Sequence, residues 1–364
     1  MTKILSDMNY KLALEVVRWV VKDENTILPN TDAIDWDELL SFCNRQGIIG
    51  LVFDKIKRSD IKMEQRQVFE WLSMSEMIKI QNTKVDKRII DVVDFFKKKG
   101  YKSCILKGQA NARMYPKPSL RSPGDIDIWV DGNVEEIISL VRSYTPEGHY
   151  SYHHIEFPLY KDVVVETHYV PAHLNNWITD NKLQKYIEEI KEQQFSNAID
   201  FCDGEINCLT NEFNAVYLML HMFGHFFSTR NSLKQLTDYF YLLKQGYSNQ
   251  QKKEITYRFS EFGLSKFASG VMWIMQYVFN ANDSQLLVEP DETVGKVLLK
   301  EALHYGDRKK KGGLGTWIHI ITSNIRYLGY FPSQVMIAPI YLLWHQWWKM
   351  KMGMKLRIVN KGIQ

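Results

Sequence analysis

The spacing of apolar residues changes twice along the chain. Before Gly100 it is typical of helices, and within residues 9–22 large apolar side chains recur every three or four positions. Further helices are expected over 39–46 and over 63–99, the latter as one long helix or two. From Pro171 onward the spacing is helical again. The segment between these two flanks therefore has a different structure.

Residues 101–172 have the alternation and turn signals of strands. Residues 125–130 alternate polar and apolar side chains with a period of two, and a hairpin is predicted to turn at Lys161 and Asp162. The expected order is strand 103–106, helix 109–115, strand 125–130, helix 133–144, and hairpin strands 153–160 and 163–169. This order predicts an α+β fold, in which a small mixed β-sheet with helices is flanked by N- and C-terminal helical regions.

The same pattern divides the chain into three regions. We expect an N-terminal helical region over 1–100, an α/β core over 101–172 and a C-terminal helical region over 173–364. A chain of 364 residues is long enough for that organisation. The sequence contains no repeat of fixed period, so a repeat architecture is not expected.

Composition excludes several classes of protein. With 45% hydrophobic and 24% charged residues, the chain has the balance of a globular protein. The net charge of +4 is too small to indicate nucleic-acid binding without a clustered basic face. Four scattered cysteines, none in a CxxC pair, predict reduced thiols. No membrane-spanning run and no signal-peptide core are seen, so we predict a cytoplasmic protein.

Candidate metal-binding carboxylates lie in the strand segment. Asp125 and Asp127 are two positions apart, so both side chains project from one face of a strand. Two carboxylates this close repel each other unless a cation lies between them, and Mg²⁺ commonly binds one or two carboxylates together with substrate phosphates. A site with two metal ions needs a third carboxylate. Glu166, in an apolar strand where a charge is costly, is the best candidate, and Asp162 is a weaker alternative in a turn.

Basic and polar residues near these carboxylates suit a triphosphate. Lys107 and Gly108 follow the first strand, where a glycine lets the backbone approach a phosphate and a helix N-terminus offers N–H groups. We predict that Lys107 neutralises one phosphate oxygen and that Arg121 clamps another. The possible substrate contacts are Tyr115, His154 and His168. Each signal alone also occurs at ordinary turns and edges, but their conjunction favours a phosphoryl-transfer site.

The same residues carry a resemblance to a known family. The chain has LKG at 106–108, YP at 115–116, Arg121, DIDIWV at 125–130 and VETHY at 165–169. This resembles the uncharacterised bacterial nucleotidyltransferase family of the polymerase-β-type superfamily, with its pattern LKG…YP…R…DIDLLV and a later strand ending in EIHW. The resemblance implies Mg²⁺-dependent transfer of a nucleoside monophosphate from ATP or another nucleoside triphosphate. Two Mg²⁺ ions are expected, with Mn²⁺ as a substitute.

The resemblance leaves the acceptor and one alternative open. The acceptor is a hydroxyl or phosphate on a small molecule, sugar, protein or RNA. The superfamily usually has a Gly-Ser pair on the first helix, whereas this chain has Lys107, Gly108 and Gln109. The alternative is therefore a catalytically inactive nucleotide-binding or partner-binding protein on the same fold. The family's arginine in RWLLD is also replaced, here by Lys234 and Gln235.

Three further features have two interpretations each. His221 and His225 have a spacing that suits zinc on a helix, although packing is favoured because no HExxH glutamate lies between them. The basic run 308–311 suits either a solvated loop or a polyanion contact. The aromatic segment 344–351 either packs on the preceding domain or makes a peripheral membrane contact.

Overall fold

The computed structural model describes residues 7–22, 28, 31, 34–202, 204–305 and 321–362. The basic run 308–311 lies outside these residues. The helices are α1 (Asp7–Val21), α2 (Trp36–Gln46), α3 (Ile49–Ile56), α4 (Gln65–Lys98), α5 (Gln109–Ala112), α6 (Val134–Tyr144), α7 (Trp177–Phe195), α8 (Asn211–Phe227), α9 (Leu233–Leu243), α10 (Asn249–Glu261), α11 (Ser265–Tyr277), α12 (Glu292–Leu303) and α13 (Pro332–Gly362). The strands are β1 (Ser103–Ile105), β2 (Ile126–Val130), β3 (His154–Glu156), β4 (Val165–His168), β5 (Ala198–Phe201) and β6 (Gly204–Asn207). The predicted α+β fold is confirmed. Among the described helices, none combines the length and hydropathy that crossing a bilayer requires.

Two compact units make up the described part of the chain. The first is drawn from Met1–Thr83, Asn111–Pro123 and Met222–Lys309. The second is drawn from Lys84–Ala110, Gly124–His221 and Lys310–Gln364, and it contains all six described strands. Each unit therefore joins segments that are far apart in sequence. The division into 1–100, 101–172 and 173–364 stays a prediction.

The four-stranded sheet of the second unit has the order β1-β2-β4-β3. Strands β2 and β4 are parallel neighbours in the middle, and β1 and β3 pair with them as antiparallel edge strands. The register places Asp127 opposite Glu166. Ile126 and Ile128 are buried in the core of this unit, as alternation along β2 predicts. The sheet thus fixes two of the predicted carboxylates side by side.

Among the predicted elements, the first hairpin strand and the first helix of the core are shorter than expected, and a proline follows each. The predicted hairpin is present as the antiparallel pair β3 and β4, but β3 ends at Glu156. Pro158 follows, and because it has no N–H it cannot extend the ladder. Helix α5 ends at Ala112. Tyr115, the last residue of the predicted helix, precedes Pro116 and is therefore disfavoured in helical conformation.

The predicted helices of the N-terminal region are confirmed. Helix α4 is one continuous helix, which settles the choice between one helix and two. The Asp35 side chain accepts hydrogen bonds from the backbone N–H groups of Asp37 and Glu38 and so caps α2. Gly47 ends α2 with φ +69°, a left-handed conformation that suits glycine.

Gly50 supports a prediction about packing in the first unit. A Cβ at this position of α3 would overlap the backbone oxygen of Leu120, which cannot move as a flexible side chain can. We expect Gly50→Ala to lower the free energy of unfolding by about 1–3 kcal/mol, because overpacking forces the backbone to shift.

The matched control is Gly224→Ala in α8, where no described atom lies within 4 Å of the added Cβ. There, better helix propensity should raise stability by up to about 1 kcal/mol. Chemical denaturation measures both, and equal effects would contradict the packing described here.

Candidate functional site

The three predicted carboxylates come together at the centre of the sheet. Asp127 lies on β2, Glu166 lies opposite it on β4, and Asp125 immediately precedes β2. One carboxylate oxygen from each lies within 4.8 Å of the others. The Asp127 side chain is 2% exposed, whereas Glu166 is 25% and Asp125 37% exposed. Within this cluster, Asp127 is therefore buried and Asp125 is accessible to solvent.

Lys107 supplies a positive charge close to both aspartates. Its Nζ lies 3.1 Å from Asp127 Oδ2 and 3.8 Å from Asp125 Oδ1. Burial alone would lower the pKa of Lys107, but the charges of Asp127 and Asp125 outweigh it and raise that pKa above its ordinary value. Asp127 Oδ2 is fully buried and, apart from this ion pair, accepts no regular hydrogen bond from the described residues. It is thus an anionic oxygen with unused coordination capacity.

His168 joins two of the carboxylates from β4. Its Nε2 lies 3.1 Å from Asp127 Oδ1 and 3.7 Å from Glu166 Oε2. Burial opposes protonation, but the hydrogen bonds to Asp127 and Glu166 dominate and raise the pKa of His168 to about 9. Burial alone would raise the pKa values of Asp127 and Glu166. Lys107 and His168 nevertheless lower the pKa of Asp127, and His168 lowers the pKa of Glu166. At neutral pH the site therefore contains ionised carboxylates held by an imidazolium.

His154 lies beside the same site on β3. It is paired in register with His168, and its Nδ1 is 4.0 Å from Glu166 Oε2. The Ser151 Oγ lies 3.3 Å from the same nitrogen. Burial and the neighbouring His168 lower the pKa of His154, so its imidazole is neutral at pH 7. Both predicted histidines are thus brought to the carboxylate cluster.

Gly108 has the conformation that a glycine turn requires. Its φ is +69°, and a Cβ there would sit 3.6 Å from the backbone oxygen of Asp125. Helix α5, which follows, has only four residues, so it contributes less of a helix dipole to a bound anion than the predicted helix 109–115 would. The Gln109 side chain donates a hydrogen bond to Asp86. Phosphate binding at Gly108 stays a prediction that rests on its backbone.

Tyr115 and Arg121 belong to the first unit and bind Asp238 there. Arg121 Nε and Nη2 donate to the two Asp238 carboxylate oxygens at 2.7 and 2.8 Å. The Tyr115 hydroxyl donates to Oδ1 of the same carboxylate at 2.6 Å. Arg121 is only 4% exposed. The structure therefore gives these side chains a buried structural partner, and their predicted nucleotide contacts remain predictions.

Tyr217 lies near the carboxylate cluster, although nothing in the sequence indicates it as a site residue. It lies on α8, and burial first, then the charges of Asp127, Asp125 and Glu166, raise its pKa well above the ordinary value. The hydroxyl is therefore neutral and near enough to the cluster to sense its charge. A tyrosine within an apolar helix is an ordinary core residue by pattern, so the sequence carries no specific signal for it.

The zinc interpretation of His221 and His225 gains no support. In the part of the chain that the structure describes, the metal-competent groups are His154 with Glu166 and His168, and Asp125 with Asp127 and Glu166. His221 stacks on Tyr217, and His225 Nδ1 lies 2.6 Å from Thr229 Oγ1. These contacts agree with packing.

His173 supports a prediction about pH. Its ring lies 4.5 Å from the His153 ring and stacks on Tyr341, and burial, then the positive potential of His345, lowers its pKa to about 4. Between pH 6.5 and 4 the unfolded chain therefore binds a proton at His173 that the folded chain does not. The contribution of His173 to the free energy of unfolding is therefore complete above pH 6.5 and decreases toward pH 4. We expect His173 to account for on the order of 2 kcal/mol of the lost stability.

Chemical denaturation at pH 7.5 and pH 5 should show a smaller loss of stability for His173→Phe than for the wild type. The same substitution at the exposed His149 is the control, and equal losses in both variants would refute the assignment.

Comparison with known proteins places the site within a family. The sequence profile of a family described as "Uncharacterised nucleotidyltransferase" matches residues 32–280, which include all three carboxylates. The crystal structure of an antigenic nucleotidyltransferase-like protein from Paracoccidioides brasiliensis is similar to this chain at 11% sequence identity and a TM-score of 0.34. That similarity covers 60% of this chain and 97% of the other. No curated protein matches the sequence at a significant level.

Proposed function

The chain belongs to the uncharacterised nucleotidyltransferase family, and from this premise we propose that Asp125, Asp127 and Glu166 bind divalent metal for nucleotidyl transfer. The donor is a nucleoside triphosphate such as ATP, and the acceptor is a hydroxyl or phosphate of a small molecule, sugar, protein or RNA. The observation that carries the proposal is the approach of the three carboxylates to within 4.8 Å around a buried aspartate. Three acids gathered at one point repel one another, and Lys107 and His168 supply only two positive charges for the three carboxylates.

The donor set fits Mg²⁺ or Mn²⁺. All three side chains offer carboxylate oxygens, which hard divalent cations prefer, and Asp127 Oδ2 is buried with unused coordination capacity. Asp125 and Asp127 would hold one ion, and Glu166 would join them on a second. Bound there, the ions would neutralise the triphosphate and favour ionisation of the acceptor.

The chain's own side chains supply the remaining functions. Lys107 is 17% exposed and carries its ammonium on a flexible stem, so it can turn from the aspartates toward a phosphate oxygen. Glu166 is accessible and ionised, which suits it to accept a proton from the acceptor hydroxyl. His168 holds Asp127 and Glu166 in position through its Nε2. These assignments require no movement of the β2–β4 backbone.

Nucleotide binding tests this proposal. Calorimetry with ATP, GTP, CTP and UTP should show binding of at least one nucleotide that requires Mg²⁺ or Mn²⁺. The double variant Asp125→Asn with Asp127→Asn should lose that binding. Asp131→Asn is the matched control, because Asp131 follows the other end of β2 and pairs with Lys191. If the double variant binds nucleotide as tightly as the wild type does, the assignment of Asp125 and Asp127 as metal ligands is wrong. Metal-dependent binding without pyrophosphate release across acceptor screens would instead favour the inactive binding protein.

A further inference from the structure

A second cluster of potential ligands shares Glu166 with the carboxylate site. His154 on β3 and Glu166 and His168 on β4 each place one ligand atom within 4.8 Å of the others. Glu166 Oε2 lies 4.0 Å from His154 Nδ1 and 3.7 Å from His168 Nε2. In a tetrahedral site with metal–nitrogen bonds of about 2.1 Å, ligand atoms are about 3.4 Å apart. Small rotations of the side chains would therefore bring the three atoms onto one ion, which would displace to solvent the proton that His168 Nε2 now shares with Asp127 and Glu166.

The chemistry of this cluster differs from that of the three acids. Two imidazole nitrogens and one carboxylate form a donor set that suits Zn²⁺ and other late transition-metal ions, whereas Mg²⁺ and Mn²⁺ suit oxygen ligands. Asp127 Oδ1 lies 3.1 Å from His168 Nε2 and offers a fourth donor. Asp125, Asp127 and Glu166 place three carboxylates beside two cations, Lys107 and His168, and metal coordination by His168 would remove one of these cations, so a dication is attracted to this point.

The backbone fixes these ligands without help from a metal. The antiparallel register pairs His154 with His168 across the two strands, so both imidazoles project from the same face of the sheet. His168 is 4% exposed, and its Nδ1 makes no hydrogen bond with the described residues. Ser151 Oγ is close enough to hydrogen-bond His154 Nδ1, and a metal ion would compete with it for that nitrogen. The sheet therefore preorganises the three ligands, and an ion would replace the contacts that His154 Nδ1 and His168 Nε2 make now.

We propose that His154, Glu166 and His168 form a nitrogen-containing site for a transition-metal dication, joined to the carboxylate site through Glu166. The inference rests on the proposed function only in that Glu166 serves both sites. It assigns different metals to the two positions: oxygen ligands select Mg²⁺ or Mn²⁺ at Asp125 and Asp127, and imidazole ligands select a transition metal beside them.

Cobalt serves as the spectroscopic probe. The chain is stripped with a chelator and titrated with Co²⁺. Intense visible absorption bands report a four-coordinate site, their dependence on His154 reports nitrogen ligation, and competition with Zn²⁺ gives the affinity. We expect one Co²⁺ per chain with such bands. His154→Ala should weaken binding by at least about 10–100-fold, the range that loss of even an outer partner causes. The same substitution at the exposed His149 should leave both bands and affinity unchanged.

A carboxylate variant separates the two sites. Asp125→Asn should keep the Co²⁺ bands, because Asp125 is not among the nitrogen-site ligands, while losing Mg²⁺-dependent nucleotide binding. Equal Co²⁺ affinity in the wild type and in both His154→Ala and His154→Gln would overturn the inference. Loss of the bands in Asp125→Asn would overturn it as well. If the Co²⁺ bands are absent but Mg²⁺-dependent nucleotide binding persists, this inference fails and the proposed function stands.

An independent observation concerns the surface of α13. Six large apolar side chains on this helix are 51–72% exposed and follow one another at intervals of three or four residues: Met336, Ile340, Leu343, Trp347, Met350 and Met354. At 100° per residue they form one narrow stripe. Trp344 and Trp348 project from another face and contact Tyr152 within the second unit. The exposed stripe thus lies apart from the face that packs.

The charges on α13 indicate what covers this stripe. Residues 332–364 contain no Asp or Glu and five basic residues: Lys349, Lys351, Lys355, Arg357 and Lys361. Lys351 Nζ lies 5.1 Å from the Trp347 ring, beside the stripe. Lys355 already pairs with Glu135 of α6. A second copy of the helix would bring no acid to the other basic residues, whereas an anionic lipid surface would bring negative charge to them. We infer that α13 rests on such a surface through the stripe, which we call the α13 apolar face.

Vesicle binding tests the α13 apolar face. The full chain should co-sediment with phosphatidylcholine vesicles only when they contain phosphatidylserine, and salt should weaken binding. Leu343→Glu with Trp347→Glu should reduce binding at least tenfold. The control is Ile178→Glu on α7, because Ile178 is 72% exposed, as Leu343 is. Absence of binding to anionic vesicles would overturn the inference. So would a dimer in solution that the double variant dissociates, since a second copy would then cover the face.

Discussion

Replacing Asp127 with Asn is expected to reduce the rate of nucleotidyl transfer by at least about 10²–10³-fold, the loss seen when a single group that stabilises transition-state charge is removed. The physical reason is the position of Asp127. Its side chain is 2% exposed, lies opposite Glu166 and contacts both Lys107 and His168. A neutral amide at this point would weaken metal binding and leave Lys107 without its nearest counter-ion. The measurement is pyrophosphate release with the nucleotide that calorimetry identifies.

The control for this variant is Asp131→Asn, which makes the same change beyond the far end of β2. It should retain nearly wild-type activity. Thermal unfolding of both variants separates loss of chemistry from loss of structure. If Asp127→Asn is folded and transfers nucleotide as fast as Asp131→Asn does, Asp127 is not a metal ligand in the reaction.

Asp238→Ala is expected to lower the free energy of unfolding by about 3–5 kcal/mol, because it leaves the buried Arg121 guanidinium without a counter-ion. Arg121 is 4% exposed and donates two hydrogen bonds to Asp238. The Tyr115 hydroxyl loses its acceptor in the same variant. Denaturant titration measures the change.

An ion pair at the surface serves as the control for the buried pair of Arg121 and Asp238. Glu76→Ala removes the partner of Lys79, and these side chains are 48% and 36% exposed. That change should cost at most about 1 kcal/mol. A loss as small for Asp238→Ala would show that Arg121 does not depend on Asp238.

The acid pair was readable from the sequence because it depends on local geometry. Asp125 and Asp127 lie two positions apart in a segment of period two, and any strand through them places both side chains on one face. Glu166 stood out because a charge within an apolar strand requires a reason. Both arguments concern neighbours along the chain. They identify the residues without specifying which strands are adjacent.

The pairings that complete the site depend on tertiary structure. The parallel contact of β2 with β4 sets Asp127 beside Glu166, and no local pattern specifies that register. The partner of Arg121 is likewise 117 residues away in sequence, at Asp238. An arginine near a predicted phosphate site and an arginine in a buried ion pair have the same local pattern. Sequence alone therefore could not assign the Arg121 side chain to Asp238.

The central claim is that Asp125 and Asp127 bind a metal ion that also binds the triphosphate. The most direct test is a crystal structure with a non-hydrolysable nucleoside triphosphate and Mn²⁺, in which anomalous scattering locates the metal. We predict a Mn²⁺ ion bound by both aspartates and by triphosphate oxygens, with Lys107 Nζ hydrogen-bonded to a phosphate and Glu166 directed to the metal. A nucleotide and Mn²⁺ bound elsewhere, with Lys107 still paired to Asp127, would contradict the account.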